Sequence, residues 1–257
     1  MVAVTCPWSE WSLRLHRWLC CKRVTTIEKL GPEWIRSFLD SANLQDLENS
    51  LSRGYIDGVT TNPSLLSKEP KANFLGYVNQ LAGLIKSHGT SLPFSVEVFA
   101  TEPDEMIRQA EEICEAVDYD NLYIKVPVGW DELKVISNLA KRGIKVNCTC
   151  IFTEEQAVMA ANAGANFVSI FMCRLKDIGG DPVKVISNTR NILDMADHDA
   201  EIIVGSIRSP SDILDAHLAG GHIVTAGPKI LESMIKHPQT DASVEGFLKD
   251  FKAWMAA

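Results

Sequence analysis

Short apolar runs alternate with longer amphipathic segments along most of the chain, from about residue 35 to the C-terminus. The short runs are rich in β-branched and aromatic residues, which is typical of buried strands. Eight such runs are present, at residues 35–39, 58–61, 94–99, 122–126, 144–152, 166–171, 201–204 and 221–225. Because apolar positions recur at helical spacing between these runs, the pattern predicts strands that alternate with helices.

The predicted helices carry start and stop signals. Thr153-Glu154-Glu155-Gln156 and Ser209-Pro210-Ser211-Asp212 have the spacing of helix N-terminal caps. Gly143, Gly164 and Gly220 stand where helices are expected to stop. Eight strand–helix units over about 220 residues predict an α/β protein with the (β/α)8 TIM-barrel fold. The alternative is an open doubly wound sheet, which is weakened because no Gly-x-Gly-x-x-Gly turn follows the first strand.

An additional amphipathic helix is predicted at the C-terminus, between about residues 241 and 254. Its apolar positions are Val244, Phe247, Leu248, Phe251 and Trp254, which fall on one face. We expect this helix either to cover the barrel or to dock onto a neighbouring subunit.

Residues 1–33 differ in character, and we expect a non-core N-terminal extension there, before a catalytic barrel domain at residues 34–257. The extension holds three of the seven cysteines, and Glu10 is the only acidic residue before residue 27. This basic bias fits an organellar targeting segment as well as a disordered extension. Without such targeting we expect a cytoplasmic protein.

Composition narrows the choice of partners and cofactors. A formal net charge of −8 over 257 residues does not favour a nucleic-acid-binding surface, although a local cationic pocket for a phosphorylated substrate is compatible with it. No apolar stretch reaches the eighteen or so residues that span a bilayer, so no membrane contact is expected. The seven cysteines are odd in number and irregularly spaced, which favours a reducing compartment. The six histidines form no helical pair at ligand spacing, so no metal site is predicted.

Polar side chains occur at the C-terminal ends of seven consecutive predicted strands, where the active site of such a barrel lies. They are Asp40, Thr60, Thr61, Asn62, Glu97, Lys125, Asn147, Thr149, Ser169, Arg174, Ser206 and Arg208. Taken singly, each has a structural explanation; Asp40 could cap a helix, and Asn62 could serve the turn before Pro63. Seven successive strands with such a residue are harder to explain by turn chemistry alone.

Lys125 lies inside the apolar run of residues 122–128. Burial of an ammonium group favours the neutral amine, while a neighbouring carboxylate favours the charged form. A neutral amine in a dry site attacks carbonyl carbon, which is the first step of Schiff-base chemistry. The structural alternative is a lysine whose stem packs while its head reaches water.

Strand alternation decides which side chains meet, because residues two apart point the same way. Asn147 and Thr149 would therefore face the barrel interior, leaving Cys148 and Cys150 toward the helices. Carboxylates from neighbouring strands, Asp40 and Glu97, would converge on Lys125.

Six stretches of the chain resemble the transaldolase family, in particular its small-subunit, fructose-6-phosphate aldolase-like branch. They follow the family order and lie at residues 38–43, 57–64, 124–128, 147–149, 169–174 and 205–208. The most specific is Asp57-Gly58-Val59-Thr60-Thr61-Asn62-Pro63-Ser64. The resemblance implies a (β/α)8 barrel that forms a Schiff base without a cofactor and transfers a dihydroxyacetone unit between sugar phosphates. The implied reaction converts sedoheptulose 7-phosphate and glyceraldehyde 3-phosphate into erythrose 4-phosphate and fructose 6-phosphate, in the pentose phosphate pathway.

The resemblance also implies a role for each candidate residue. Lys125 would attack the C2 carbonyl of the ketose phosphate, and Asp40 would take the proton of the C4 hydroxyl as the C3–C4 bond breaks. Glu97 and Thr149 would position a water that shuttles protons. The implied substrate-binding residues are Asn62, Thr60, Asn147, Ser169 and Phe171 for the sugar, with Arg174, Arg208 and Ser206 for the phosphate. A homo-oligomer is implied as well, for which the family suggests a decamer.

Two alternatives to a transaldolase are open. Fructose-6-phosphate aldolases share the scaffold but release free dihydroxyacetone; they resemble transaldolases except for a glutamine and a tyrosine, at positions that here read Glu97 and Phe171. Both residues favour transfer. The second alternative is a non-catalytic barrel that binds a ligand. The chain departs from the family at Gly129-Trp130, where Trp130 is expected to narrow the pocket mouth.

Overall fold

The computed structural model describes residues 35–256. They contain a closed barrel of eight parallel strands that neighbour one another in chain order, with β1 also paired to β8. The strands are β1 (Arg36–Asp40), β2 (Gly58–Thr60), β3 (Phe94–Glu97), β4 (Leu122–Pro127), β5 (Val146–Ile151), β6 (Phe167–Phe171), β7 (Glu201–Gly205) and β8 (Ile223–Ala226). Each predicted run coincides with one strand to within two residues at the start of the strand, so the predicted (β/α)8 fold is confirmed.

Helices follow the strands and pack around the barrel. They are α1 (Leu44–Leu51), α2 (Pro63–Leu66), α3 (Phe74–Ser87), α4 (Pro103–Ala116), α5 (Glu132–Lys141), α6 (Glu154–Asn162), α7 (Met172–Asp177), α8 (Pro182–Met195), α9 (Pro210–Leu218), α10 (Pro228–Ser233) and α11 (Pro238–Met255). The main apolar core lies between the outer face of the sheet and the inner faces of these helices.

Local sequence signals explain several of the helix ends. Capping boxes form at both predicted starts, Thr153 with Gln156 for α6 and Ser209 with Asp212 for α9. Gly164 and Gly220, just after α6 and α9, adopt φ angles of 106° and 98°, which glycine reaches without the steric cost that a Cβ imposes. The predicted helix boundaries are confirmed at these positions.

The barrel interior has an apolar lower layer. Phe38, Phe167, Ile203 and Ile223 form a buried cluster, with Tyr123 stacked on Phe167 at a centroid distance of 4.4 Å. Side chains two residues further along a strand point to the same interior one level higher. On β1, β4, β6 and β8 that step leads to polar side chains, namely Asp40, Lys125, Ser169 and Thr225. The strand period therefore places a polar layer directly above the apolar one.

The C-terminal helix α11 exists as predicted but buries none of its residues. Its apolar side chains are largely exposed, with Phe247 at 72% and Trp254 at 71%. The expectation that this helix covers the barrel is wrong for the described chain, while docking onto a neighbouring subunit stays a prediction. The predicted extension at residues 1–33 lies outside the described residues. Within residues 35–256, no helix combines the length and the apolar character needed to cross a membrane.

Candidate active site

A cavity of about 250 Å³ opens at the C-terminal ends of the strands. Of the twelve side chains predicted for the site, ten line it: Asp40, Thr60, Asn62, Glu97, Lys125, Thr149, Ser169, Phe171, Arg174 and Ser206. Pro63, Ser64, Cys150, Gly205 and Thr225 complete the lining. A larger and more open groove of about 500 Å³, between α1 and α3, contains none of the predicted site residues. The chemistry that the sequence suggests is therefore gathered in the barrel mouth.

Lys125 extends into this cavity from β4 and is only 6% exposed. Its Nζ lies 3.0 Å from Glu97 Oε2 and donates a hydrogen bond of 2.9 Å to the backbone oxygen of Thr61. Glu97 is the β3 residue paired with Lys125 in the sheet, so the ladder itself brings carboxylate and amine together. The alternative in which the lysine head reaches bulk water is wrong, because the head is fixed inside the barrel mouth.

Asp40 is the second carboxylate of the cavity and belongs to a chain of hydroxyl groups. Thr60 Oγ1 donates to Asp40 Oδ1 at 2.8 Å and lies 2.6 Å from Thr225 Oγ1. Because Thr60 has one hydroxyl proton and gives it to Asp40, Thr225 is the donor in the second bond. Burial raises the pKa of Asp40 above its ordinary value, although the charge of Lys125 and the Thr60 hydrogen bond act in the opposite direction. Asp40 does not cap a helix, since Asn43 caps α1.

A β-bulge rearranges the cavity wall on β5. The pairing register between β5 and β6 shifts between Cys148 and Ile151, and Cys150 adopts a φ angle of 63°. As a result Cys148 packs toward the helices as expected, but Cys150 lines the cavity. The prediction that Cys150 faces the helices is therefore wrong. Burial, reinforced by the negative charge of Glu97, raises the pKa of the Cys150 thiol and favours its neutral form.

Thr149 is fully buried and faces the cavity. Its hydroxyl finds no oxygen or nitrogen partner among the described residues. Asn147 also points inward but lies below the cavity lining. Its Nδ2 donates to Ser95 Oγ at 3.1 Å, and its Oδ1 accepts from Ser169 Oγ at 2.7 Å. The amide of Asn147 is thus a support that orients Ser169.

Asn62 combines both of the interpretations that the sequence allowed. Its Oδ1 accepts a hydrogen bond of 3.1 Å from the backbone N–H of Leu65 and so caps α2. The same residue lines the cavity. Trp130, in contrast, is 82% exposed and is not part of the cavity lining, so it does not narrow the pocket in this structure.

Two cationic side chains were expected to bind phosphate, but only one of them lines the cavity. Arg174 lines the cavity, with its guanidinium 4.8 Å from the centroid of the Phe171 ring. Ser206 lies beside them with a φ angle of 60°. Arg208 does not line the cavity, because its guanidinium forms a two-pronged ion pair with Asp177 on α7. Arg208 is therefore outside the site as long as that pair is intact.

Thr225 and Cys150 are cavity residues that the sequence reasoning missed. Thr225 lies within the predicted eighth strand, two residues beyond the apolar Ile223, so strand alternation was the signal that could have found it. Nothing in the local sequence marks the bulge that turns Cys150 inward. No group of three or more potential ligands within residues 35–256 is arranged to hold a metal ion.

Comparison with known proteins agrees with the geometry of the barrel mouth. Residues 37–257 match the family described as Transaldolase/Fructose-6-phosphate aldolase. The chain belongs to this family. A "Probable transaldolase" of Symbiobacterium thermophilum is 39% identical over 219 residues, which cover 85% of this chain and 98% of the relative. A "Probable transaldolase" of Clostridium acetobutylicum is 40% identical over 218 residues, with the same coverage. One of Geobacter metallireducens is also 40% identical over 218 residues, again covering 85% and 98%. The chain is therefore a transaldolase-like aldolase, as the sequence motifs suggested.

Proposed function

We propose that this protein is a Schiff-base transaldolase, with Lys125 as the nucleophile that carries the dihydroxyacetone unit. The observation that supports this best is the position of the Lys125 amine. It is buried at the mouth of a closed barrel, 3.0 Å from the Glu97 carboxylate, in the same cavity as Asp40. A sheltered amine that shares its cavity with two carboxylates provides the nucleophile, and the carboxylates provide the proton acceptors, that imine formation and aldol cleavage need.

In the proposed reaction, the amine of Lys125 adds to the C2 carbonyl of a ketose phosphate and the carbinolamine loses water to give an iminium ion. Glu97 and Thr149 move the protons of this step through a water molecule. Asp40 then accepts the proton of the C4 hydroxyl while the C3–C4 bond breaks. The electron pair of that bond passes into the iminium group and leaves an enamine of dihydroxyacetone on Lys125. Addition of the enamine to a second aldose phosphate reverses these steps.

The sugar phosphate would extend from Lys125 toward the β6 and β7 side of the cavity. Arg174 is the main phosphate ligand in this proposal, because its planar guanidinium suits two phosphate oxygens at once and it already lines the cavity. Ser206 assists it. Arg208 can bind the phosphate only if its guanidinium first leaves Asp177. Asn62, Thr60 and Ser169 contact the sugar hydroxyls, and Asn147 acts through Ser169.

Transfer is favoured over release of free dihydroxyacetone. A phenol beside the enamine could protonate it and free the product, and Phe171 has no such proton to give. Phe171 lines the cavity, and Phe152 packs edge-on against it at a centroid distance of 5.8 Å. The proposed substrates are the four sugar phosphates of the transaldolase reaction, which belongs to the pentose phosphate pathway.

Borohydride trapping tests the proposal. Reduction in the presence of fructose 6-phosphate is expected to leave a covalent adduct on Lys125, identified by peptide mass spectrometry. Lys125→Ala is expected to lose both the adduct and turnover. Lys145→Ala is the matched control, because Lys145 contacts Asn121 and Tyr123 at the opposite end of the barrel. Absence of an adduct in the wild-type protein would favour a ligand-binding barrel. An adduct together with accumulation of free dihydroxyacetone would favour an aldolase.

A further inference from the structure

We propose that Asp212 is a positioning residue for the phosphate end of the cavity, where it ties the loop after β7 to helix α7. The proposal rests on the function proposed above, which gives the phosphate to Arg174 and Ser206. Asp212 itself does not line the cavity. It is 7% exposed in the first turn of α9 and contacts both the loop after β7, which contains Ser206, and helix α7, which contains Arg174.

The carboxylate of Asp212 accepts hydrogen bonds from two segments of the chain. From the loop after β7, its Oδ2 accepts the backbone N–H of Arg208 at 3.2 Å, the backbone N–H of Ser209 at 2.9 Å and the Ser209 hydroxyl at 2.8 Å. From α7, Cys173 Sγ donates to Oδ2 at 3.3 Å, and Lys176 Nζ donates to Oδ1 at 2.7 Å. One buried carboxylate thus joins the β7–α9 loop to the helix that contains Arg174.

This pattern exceeds what a helix cap requires. Asp181 caps the neighbouring helix α8 and accepts the backbone N–H of Lys184 at 3.1 Å, a contact within its own first turn. Asp212 adds contacts across 39 and 36 residues of sequence, to Cys173 and Lys176. A direct backbone bond reinforces the connection, since the N–H of Cys173 donates to the Ser206 oxygen at 3.2 Å. A loop and a helix that are fixed in this way hold Ser206 and Arg174 at a constant separation.

Hydrogen bonds from the surrounding residues stabilise the ionised form of the Asp212 carboxyl group. Burial by itself raises the pKa of this carboxyl group, but the hydrogen bonds from Lys176, Ser209, Cys173 and the Arg208 backbone outweigh that effect and hold the pKa well below its ordinary value. Asp212 is therefore ionised at neutral pH. Ser206, next to this assembly, keeps a left-handed backbone conformation that a non-glycine residue adopts at some cost, and the surrounding bonds stabilise it.

The test compares a phosphorylated with an unphosphorylated donor. Asp212→Asn keeps an oxygen for the helix cap but loses the charge that holds Lys176. We expect the half-saturating concentration of fructose 6-phosphate for borohydride trapping to rise about tenfold, roughly the equivalent of one charge-assisted hydrogen bond. The half-saturating concentration of dihydroxyacetone, which has no phosphate, is expected to stay within about twofold of the wild-type value. Asp181→Asn is the matched control and should change neither value.

Equal effects on both donors, or no effect on either, would overturn the positioning role. Lys176→Met provides a second variant if Asp212→Asn fails to fold, because it removes the cation and keeps the capping carboxylate; the same phosphate-selective rise is expected, with a smaller size. If the wild-type protein traps neither donor, the proposed function fails. The positioning role is then decided by calorimetry with inorganic phosphate. Weaker binding in Asp212→Asn than in Asp181→Asn would support it, and equal binding or none in the wild type would refute it.

Discussion

The hydroxyl of Thr60 controls how easily Asp40 loses its proton, and Thr60→Val would reveal this. In the proposed mechanism Asp40 must be ionised to accept the C4 hydroxyl proton. Thr60 donates a hydrogen bond of 2.8 Å to the carboxylate of Asp40. Valine keeps the β-branched shape that suits the buried strand but has no proton to donate.

The size of the effect follows from the bond that is lost. A hydrogen bond to a charged group is worth about 1.5–3 kcal/mol, and one pKa unit corresponds to about 1.4 kcal/mol. Burial already raises the pKa of Asp40, and the Thr60 bond is one of the interactions that lower it. Without that bond, the pKa of Asp40 is expected to rise further, by about one to two units.

The assay is the pH dependence of kcat/KM, which reports the ionisation of the free enzyme. Activity falls as the pH drops through the pKa of the base, so the acid limb should move to higher pH by about one to two units in Thr60→Val. Thr225→Val should shift it in the same direction by less, because Thr225 acts through Thr60. Thr61→Val is the matched control. Its hydroxyl donates to the Ser95 backbone and not to Asp40, so no shift is expected.

An acid limb that stays in place, or moves to lower pH, would refute this reasoning. The first result would mean that Asp40 does not set the limb; the second would mean that the Thr60 hydroxyl favours the protonated carboxyl. A shift of equal size in Thr61→Val would assign the effect to general disturbance of the barrel mouth.

Three further predictions concern product release, phosphate binding and assembly. Phe171→Tyr should raise the ratio of free dihydroxyacetone to transferred product, because a phenol can protonate the enamine; an unchanged ratio would mean that this position does not govern release. Arg174→Lys should raise KM for fructose 6-phosphate about tenfold or more, and Arg208→Lys by less, since only Arg174 lines the cavity; a larger effect at Arg208 would contradict this assignment. If the exposed face of α11 joins subunits, Phe251→Glu should reduce the molar mass of the particle that analytical ultracentrifugation measures. An unchanged mass would exclude Phe251 from such an interface.

The strand order and most of the cavity could be predicted from the sequence because both follow from the period of a strand. Side chains alternate between the two faces of the sheet, so one inward residue fixes the next. Lys125 illustrates this: the predicted alternation places it above Tyr123, and the sheet pairs it with Glu97. In a parallel barrel the C-terminal ends of all strands lie at the same face, so residues at those ends come together once the fold is known. This is why ten of the predicted site residues line one cavity.

The alternation argument fails where the backbone departs from regular geometry. At Cys150 the β-bulge and the left-handed φ angle turn an outward position inward. Bulges re-aim single side chains and have no strong local sequence signature when the residue is not glycine. Arg208 differs from its expected place for another reason. Its partner Asp177 is 31 residues away, at the end of helix α7, and such a pairing depends on tertiary structure that sequence spacing does not contain.

Most buried polar side chains at the barrel mouth form hydrogen bonds or ion pairs with one another, and Thr149 is the exception. Lys125 is bonded to Glu97, Asp40 to Thr60, and Ser169 to the amide below it, so burial of these groups above an apolar layer is stabilised by their partners. Among the fully buried polar atoms of the cavity-lining side chains within residues 35–256, the Thr149 hydroxyl alone has no oxygen or nitrogen partner. The Cys150 thiol offers this hydroxyl a weak hydrogen bond, so only part of the roughly 1–3 kcal/mol that a buried unpaired group costs applies to Thr149. That cost is expected where the hydroxyl serves a step of the reaction rather than the stability of the fold, and Thr149 faces the cavity that holds the Lys125 amine. The position of the Thr149 hydroxyl also suits the proposed carbinolamine step, in which protons move between a carboxylate, a hydroxyl group and a water molecule.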